Sequence, residues 1–175
     1  MISRYRILAE RLRAELRTLE QVVERTEGAL SRATQQAQDQ DYFLAAAALD
    51  LHGFYVGLER LFELVAREVD ESRPAGSHWH RDLLAQMSLT VTDVRPAVLS
   101  PETHSALTDY LEFRHVLRNL YTFHLRTDRI AELVRGLRPA FDLARRDLQA
   151  FAEFLTALST SDEERDSEAM TPNSQ

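Results

Sequence analysis

The sequence predicts an all-α protein, an antiparallel bundle of four long helices plus one short helix. Three observations carry this. Ala, Leu, Glu and Arg dominate the composition, and all four favour helix. Apolar residues recur at intervals of three and four along most of the chain. Glycine and proline number only five each in 175 residues, and no strand-like run is bounded by turn dipeptides. A chain of this length is most simply one domain with room for a sizeable core.

Each element has its own signal. Tyr5, Leu8, Leu12, Leu16, Leu19, Val23 and Leu30 form one amphipathic stripe, which predicts a first helix over residues 2–36. The polar run TQQAQDQD after it should hold a turn, with Asp39 or Asp41 capping the next helix. Leu44, Ala48, Leu51, Tyr55, Leu58, Phe62, Val65 and Val69 give a second stripe ending near Glu71. The alanines at Ala45 to Ala48 would let a neighbouring helix approach closely. Pro74 and Gly76 in SRPAGS are the breakers. A short helix over His78 to Met87, capped by Ser77, precedes an irregular crossover.

Ser100 followed by Pro101 marks the next start, with a capping hydroxyl and then proline at the first helical position. This helix should reach about His124. Thr127 or Asp128 should cap a last one, reaching about Leu158, with a kink or break at Gly136 and Pro139. The domain division expected is a helical unit over 1–160 and an acidic, solvated tail over 161–175. That tail holds five acids against one arginine and no apolar period.

Composition narrows the function. Cysteine is absent, which removes disulfides and thiolate metal sites and suits a reducing compartment. No apolar run is long enough to span a bilayer, and the charged amphipathic N-terminus does not read as a signal peptide, so a soluble cytoplasmic protein with no membrane partner is expected. The net charge of −7 argues against a general nucleic-acid coat. It is unevenly spread, however: Leu111 to Arg146 carries eight arginines against four acids. Such a segment can form a local anion site, but charge alone favours the solvated arginine face of a helical bundle.

The most informative stretch is LEFRHVLRNLYTFHLRTDRI, Leu111 to Ile130. Arg114, Arg118 and Tyr121 recur at spacings of four and three and so share a helical face. Two cations one turn apart repel unless an anion lies near, and Glu112 cannot bridge both. A phosphate is one candidate guest, and an acid from another helix is the structural alternative. Elsewhere, His78 and His80 form an H-x-H pair without an evident third metal ligand, and read as surface or capping residues around Trp79. Glu59 and Glu63 form an acid pair one turn apart, with no second set to build a di-iron site. His52 reads as a satisfied helix residue, and Phe54 and Tyr55 as core.

FRHVLRNLY, Phe113 to Tyr121, resembles the signature region of the HepT-like HEPN proteins. LHGFYVGLERLFELVAREVD (Leu51 to Asp70) and HWHRDLL (His78 to Leu84) resemble the longer branch of that family, so the likeness spans residues 45–135. It implies an all-helical toxin of a toxin–antitoxin pair, a homodimeric, metal-independent endoribonuclease with no cofactor. Its implied partners are RNA as substrate and a minimal nucleotidyltransferase antitoxin. In the motif an arginine is followed by four residues, a histidine, one residue and a tyrosine. Arg114 and Tyr121 match; Asn119 occupies the histidine position.

By that resemblance Arg114 would hold the scissile phosphate. An imidazole would move the proton of the RNA 2′-hydroxyl, which Asn119 cannot do, although it can hydrogen-bond. Either His115 or His124 is then the stand-in, or cleavage is weak, or the chain is a catalytically inactive HEPN subunit that binds RNA or the nucleotidyltransferase as a dimer. Arg118 with His124 also satisfies a looser motif, and Tyr121 favours the register of Arg114 with His115. The catalytic set is thus Arg114, Asn119 and His115. Arg118, His124 and Arg126 are assigned to RNA binding, and Tyr121 to modification by AMP. As a charged cleft residue, Arg114 is expected to contribute little to folding.

Overall fold

The computed structural model describes residues 2–119 and 126–169. It contains α1 (Ile2–Gln35), a 3-10 turn (Ala37–Asp39), α2 (Gln40–Glu68), α3 (Trp79–Met87), α4 (Pro101–Asn119) and α5 (Thr127–Ala169). Among the described residues the only β pairing is an isolated bridge between Val91 and Arg95. The protein is an all-α bundle, as its composition predicts.

The long helices pack through the stripes that periodicity marks. Leu8, Leu12, Leu16, Leu19 and Val23 of α1 are buried, facing Leu51, Phe54, Leu58 and Phe62 of α2 and Leu137, Phe141, Leu148 and Leu155 of α5 in one core. Ion pairs on the rims of these contacts give the directions. Arg25 meets Asp50 near the α1–α2 turn, and Arg4 meets Glu68 at the far end, so α1 and α2 are antiparallel. Glu27 pairs with Arg138 and Glu20 with Arg145, so α5 is also antiparallel to α1. Gly57 permits the close approach of α2 to α1: a Cβ there would lie 2.6 Å from Leu19 Cδ2. Of the four alanines, Ala47 and Ala48 are buried.

Helix ends differ in instructive ways. α2 stops at Glu68, ahead of Pro74, because the chain turns at Glu71, whose φ of 51° is left-handed. Asp39 precedes α2 without a side-chain cap, and His78 rather than Ser77 stands at the start of α3, also uncapped by its side chain. The start of α4 is held more firmly than Ser-Pro alone would achieve. Ser100 Oγ accepts from Thr103 N–H at 3.2 Å, while Asp147 Oδ2 of α5 accepts from Ser100 N–H at 2.8 Å and from the Thr103 hydroxyl at 2.5 Å.

α5 continues through Pro139 as one helix and passes Leu158 to reach Ala169. Pro139 is exposed and removes one backbone bond, which the flanking turns tolerate. Past Leu158 the acidic segment still contains Glu, Ala and Arg, whose helix propensity suffices to carry the backbone on.

The segment between α3 and α4 is fastened by one side chain. Arg95, 3% exposed, gives Nε and Nη2 to the two oxygens of Asp70 at 2.5 and 2.7 Å, and also donates to the carbonyls of Gln86, Leu89 and Pro96. This arginine therefore anchors the crossover against the end of α2. Together with the Asp147 cap, it fixes where α4 begins and hence where its arginines fall.

Candidate functional site

On α4 the buried residues Thr103, Leu107, Tyr110, Leu111 and Phe113 lead directly to Arg114. Thr103, Leu107, Tyr110 and Leu111 precede Arg114 by eleven, seven, four and three positions, so the arginine sits on the helix's core-facing stripe. It is 7% exposed. A guanidinium in that position requires an acid, and α2 supplies Glu59, itself 5% exposed: Arg114 Nη2 donates to Glu59 Oε1 at 3.1 Å. The second oxygen of the same carboxylate lies 2.7 Å from His80 Nδ1, at the start of α3. Arg114 Nη1 closes the triangle with His80 Nε2 at 3.3 Å.

The ring's tautomer follows from these contacts. Nδ1 must carry the proton to donate to a carboxylate, so Nε2 bears the lone pair that accepts from Arg114. His80 is neutral in this arrangement. Burial, followed by the charges of Arg114, His115 and Arg118, pushes its pKa down to about 4, with Glu63 opposing. Burial also raises the Glu59 carboxyl, an effect that Arg114 counters and Glu63 reinforces. The ion pair is therefore held by geometry against a desolvation cost.

Other basic groups surround this triangle. His115, half-buried, meets the His80 ring edge-on with centroids 5.6 Å apart, and the Trp79 ring lies tilted against the same imidazole with centroids 3.5 Å apart. His52 of α2 is held below the ordinary histidine range by burial, then by the charges of Arg114 and Arg118. Arg118 is exposed. Two buried nitrogens here, Arg114 Nε and His52 Nδ1, have no hydrogen-bond partner among the described residues. Three helices thus place three histidines and two arginines around Glu59 and Glu63.

This arrangement departs from the sequence expectation in specific ways. Arg114 and Arg118 differ sharply: the first is buried and paired with an acid from another helix, the second is open to solvent. The burial and the buried ion pair overturn the expectation that Arg114 contributes little to folding. His80 is not a surface or capping residue, since only His78 of that pair is exposed. Arg126 is exposed and forked onto Asp128 at 2.6 and 3.3 Å, so its charge is already matched. Asn119 is the last residue of α4. Tyr121 and His124 lie outside the described residues.

Glu59 and His80 were the residues that motif reading missed, yet a signal for His80 was present. Leu83, Leu84 and Met87 follow it by three, four and seven positions and are all buried, which puts His80 on the apolar stripe of α3. No local pattern tied Glu59 to Arg114.

The three sequence blocks that resemble HepT-like proteins therefore meet in space, one on each of α2, α3 and α4. A family model described as HepT-like protein matches residues 46–155, which is more than half of the chain. The chain belongs to the HepT-like family. The match starts within α2 and ends within α5, so the whole site of this HepT-like protein falls inside it while α1 lies before it. No curated protein and no solved structure matches the chain. Among the described residues, no helix is long and apolar enough to cross a membrane.

Proposed function

We propose that this HepT-like protein is the toxin of a toxin–antitoxin pair, an endoribonuclease that cuts RNA without a metal at a cleft between two copies. The observation that carries the reading is the meeting of His52, His80, Arg114, His115 and Arg118 from three helices inside the family-matched region. Phosphodiester cleavage needs a cation for the phosphate and an imidazole for the 2′-hydroxyl proton. Arg118 is the exposed cation, available to the RNA backbone. His115, half-buried beside the triangle, is the proton carrier in place of the motif histidine, whose position is filled by an asparagine with no titratable proton. One helix end supplies too few groups for clamp, base and acid together, which favours a second copy completing the cleft.

The partner in this proposal is a minimal nucleotidyltransferase that attaches AMP to Tyr121. The added phosphate would compete for the cations that take the RNA phosphate, and the adenosine would add bulk at the cleft. Expression of the chain alone should arrest bacterial growth, Arg118→Ala should relieve the arrest, and co-expressed nucleotidyltransferase should relieve it while adding AMP masses lost in Tyr121→Phe. An AMP mass that persists in Tyr121→Phe would displace the assignment of that tyrosine. Growth unaffected by the wild-type chain would count against the toxin.

A second reading has its own support. With Asn119 in the motif position and Arg114 committed to Glu59, the chain would instead be an inert HEPN subunit that binds RNA or the nucleotidyltransferase as a dimer. Binding without cleavage by purified protein would favour it.

A further inference from the structure

We infer that Glu59 and His80 are positioning residues for Arg114, fixing its guanidinium by Nη1 and Nη2 and leaving Nε–H as the donor that meets a phosphate oxygen of the RNA. The inference rests on the ribonuclease reading above and deepens it by locating half of the apparatus outside the α4 motif.

The geometry is selective. Glu59 takes Nη2 at 3.1 Å and His80 takes Nη1 at 3.3 Å, so both terminal nitrogens of the guanidinium are engaged. Nε has no acceptor among the described residues although it is buried. A buried donor left unpaired is costly, and proteins retain such groups where a ligand or a mechanism uses them. The planar guanidinium presents its donors in a fixed fork, so engaging the terminal nitrogens also dictates the direction of Nε–H. Glu59 contributes through both oxygens, one holding the arginine and the other the histidine that holds the same arginine. Loss of His80 would leave the guanidinium free to rotate about the remaining bond to Glu59. Glutamine can replace the ring, its carbonyl accepting from Arg114 and its amide donating to Glu59; leucine can do neither.

The test uses the full chain labelled with 15N. Long-range 1H–15N spectra at neutral pH should show His80 as the Nδ1–H tautomer, and an Nε2–H tautomer would overturn the inference without any variant. Adding a short RNA should shift the Arg114 Nε–H resonance in the wild type and in His80→Gln but not in His80→Leu. In cleavage assays His80→Leu should lose about 100-fold in kcat with KM changed by less than about threefold, the pattern of misplaced rather than absent binding, and His80→Gln should recover most of that loss. Wild-type kcat in a folded His80→Leu would overturn the inference. If the wild type cuts no RNA, the ribonuclease reading fails separately. Inorganic phosphate then decides positioning by the same resonance: a shift seen in the wild type and lost in His80→Leu supports it, and no shift in the wild type overturns it.

Discussion

Arg114 of α4 donates to Glu59 of α2 at 3.1 Å across 55 residues of chain, and both side chains are buried. This pair makes a motif arginine part of the core. Removing one partner of a buried pair leaves an uncompensated charge, which typically costs about 3–5 kcal/mol. Arg114→Ala should accordingly lower stability by that order, whereas the exposed Arg118→Ala should change it by less than about 0.5 kcal/mol. Urea unfolding followed by circular dichroism checks both, and equal midpoints for the two variants would contradict the buried pair.

Stability should also depend on pH through His80. Its folded pKa of about 4 lies below the ordinary value of 6.5, so the unfolded chain binds the proton more readily. The contribution is fully present above 6.5 and is lost as the pH falls from there towards 4. Glu59, raised by burial, acts in the opposite sense as the pH rises past the ordinary carboxylate range. Melting temperatures should therefore fall between pH 6.5 and 4, and His80→Gln should flatten that fall. An unchanged slope in His80→Gln would mean that other groups carry it.

Arg95 offers a prediction about the scaffold alone. Arg95→Leu leaves the buried Asp70 carboxylate with the Gln86 amide but without its paired cation, and it frees three carbonyls, so the loss should be about 3–5 kcal/mol, or about 6–20 °C in Tm. Calorimetry checks it, and a shift under about 2 °C would show that the crossover is held elsewhere.

Asn119→His supplies a titratable ring at the position where the family motif has one. If proton transfer limits cleavage, the rate should rise and acquire a pH dependence near 6.5. A rate and pH profile identical to wild type would leave His115 as sufficient by itself.

Much of the fold was legible because the α1, α2 and α5 stripes have the helical period and the breakers between elements are strong. Ser100-Pro101 marked the start of α4 for the same reason, while Asp147, 47 residues away from Ser100, was invisible to local reading. α2 ends three residues before the expected Glu71, because a left-handed Glu71 rather than a proline turns the chain. Pro139 suggested a break, yet long packed flanks on both sides keep α5 continuous. At the site, Arg114 stood out by its spacing to Arg118 and Tyr121, but its surroundings did not. Its position on the apolar stripe of α4 points to burial, whereas its spacing to Arg118 points to a shared exposed face, and the two signals conflict. Glu59 looked like one member of an acid pair with Glu63 because ion pairs between helices leave no mark in sequence spacing.

In the proposed ribonuclease, α2, α3 and α4 assemble a surface that cuts RNA. The most direct measurement is incubation of purified wild-type protein and folded Arg118→Ala with total RNA in the presence of a chelator, resolved as a time course on a denaturing gel. Wild-type protein should generate discrete fragments that accumulate with time. Arg118→Ala, lacking one phosphate contact worth about 1.5–3 kcal/mol, should cut at least about tenfold more slowly. Intact RNA with the wild type, or equal cutting by the variant, would contradict the account.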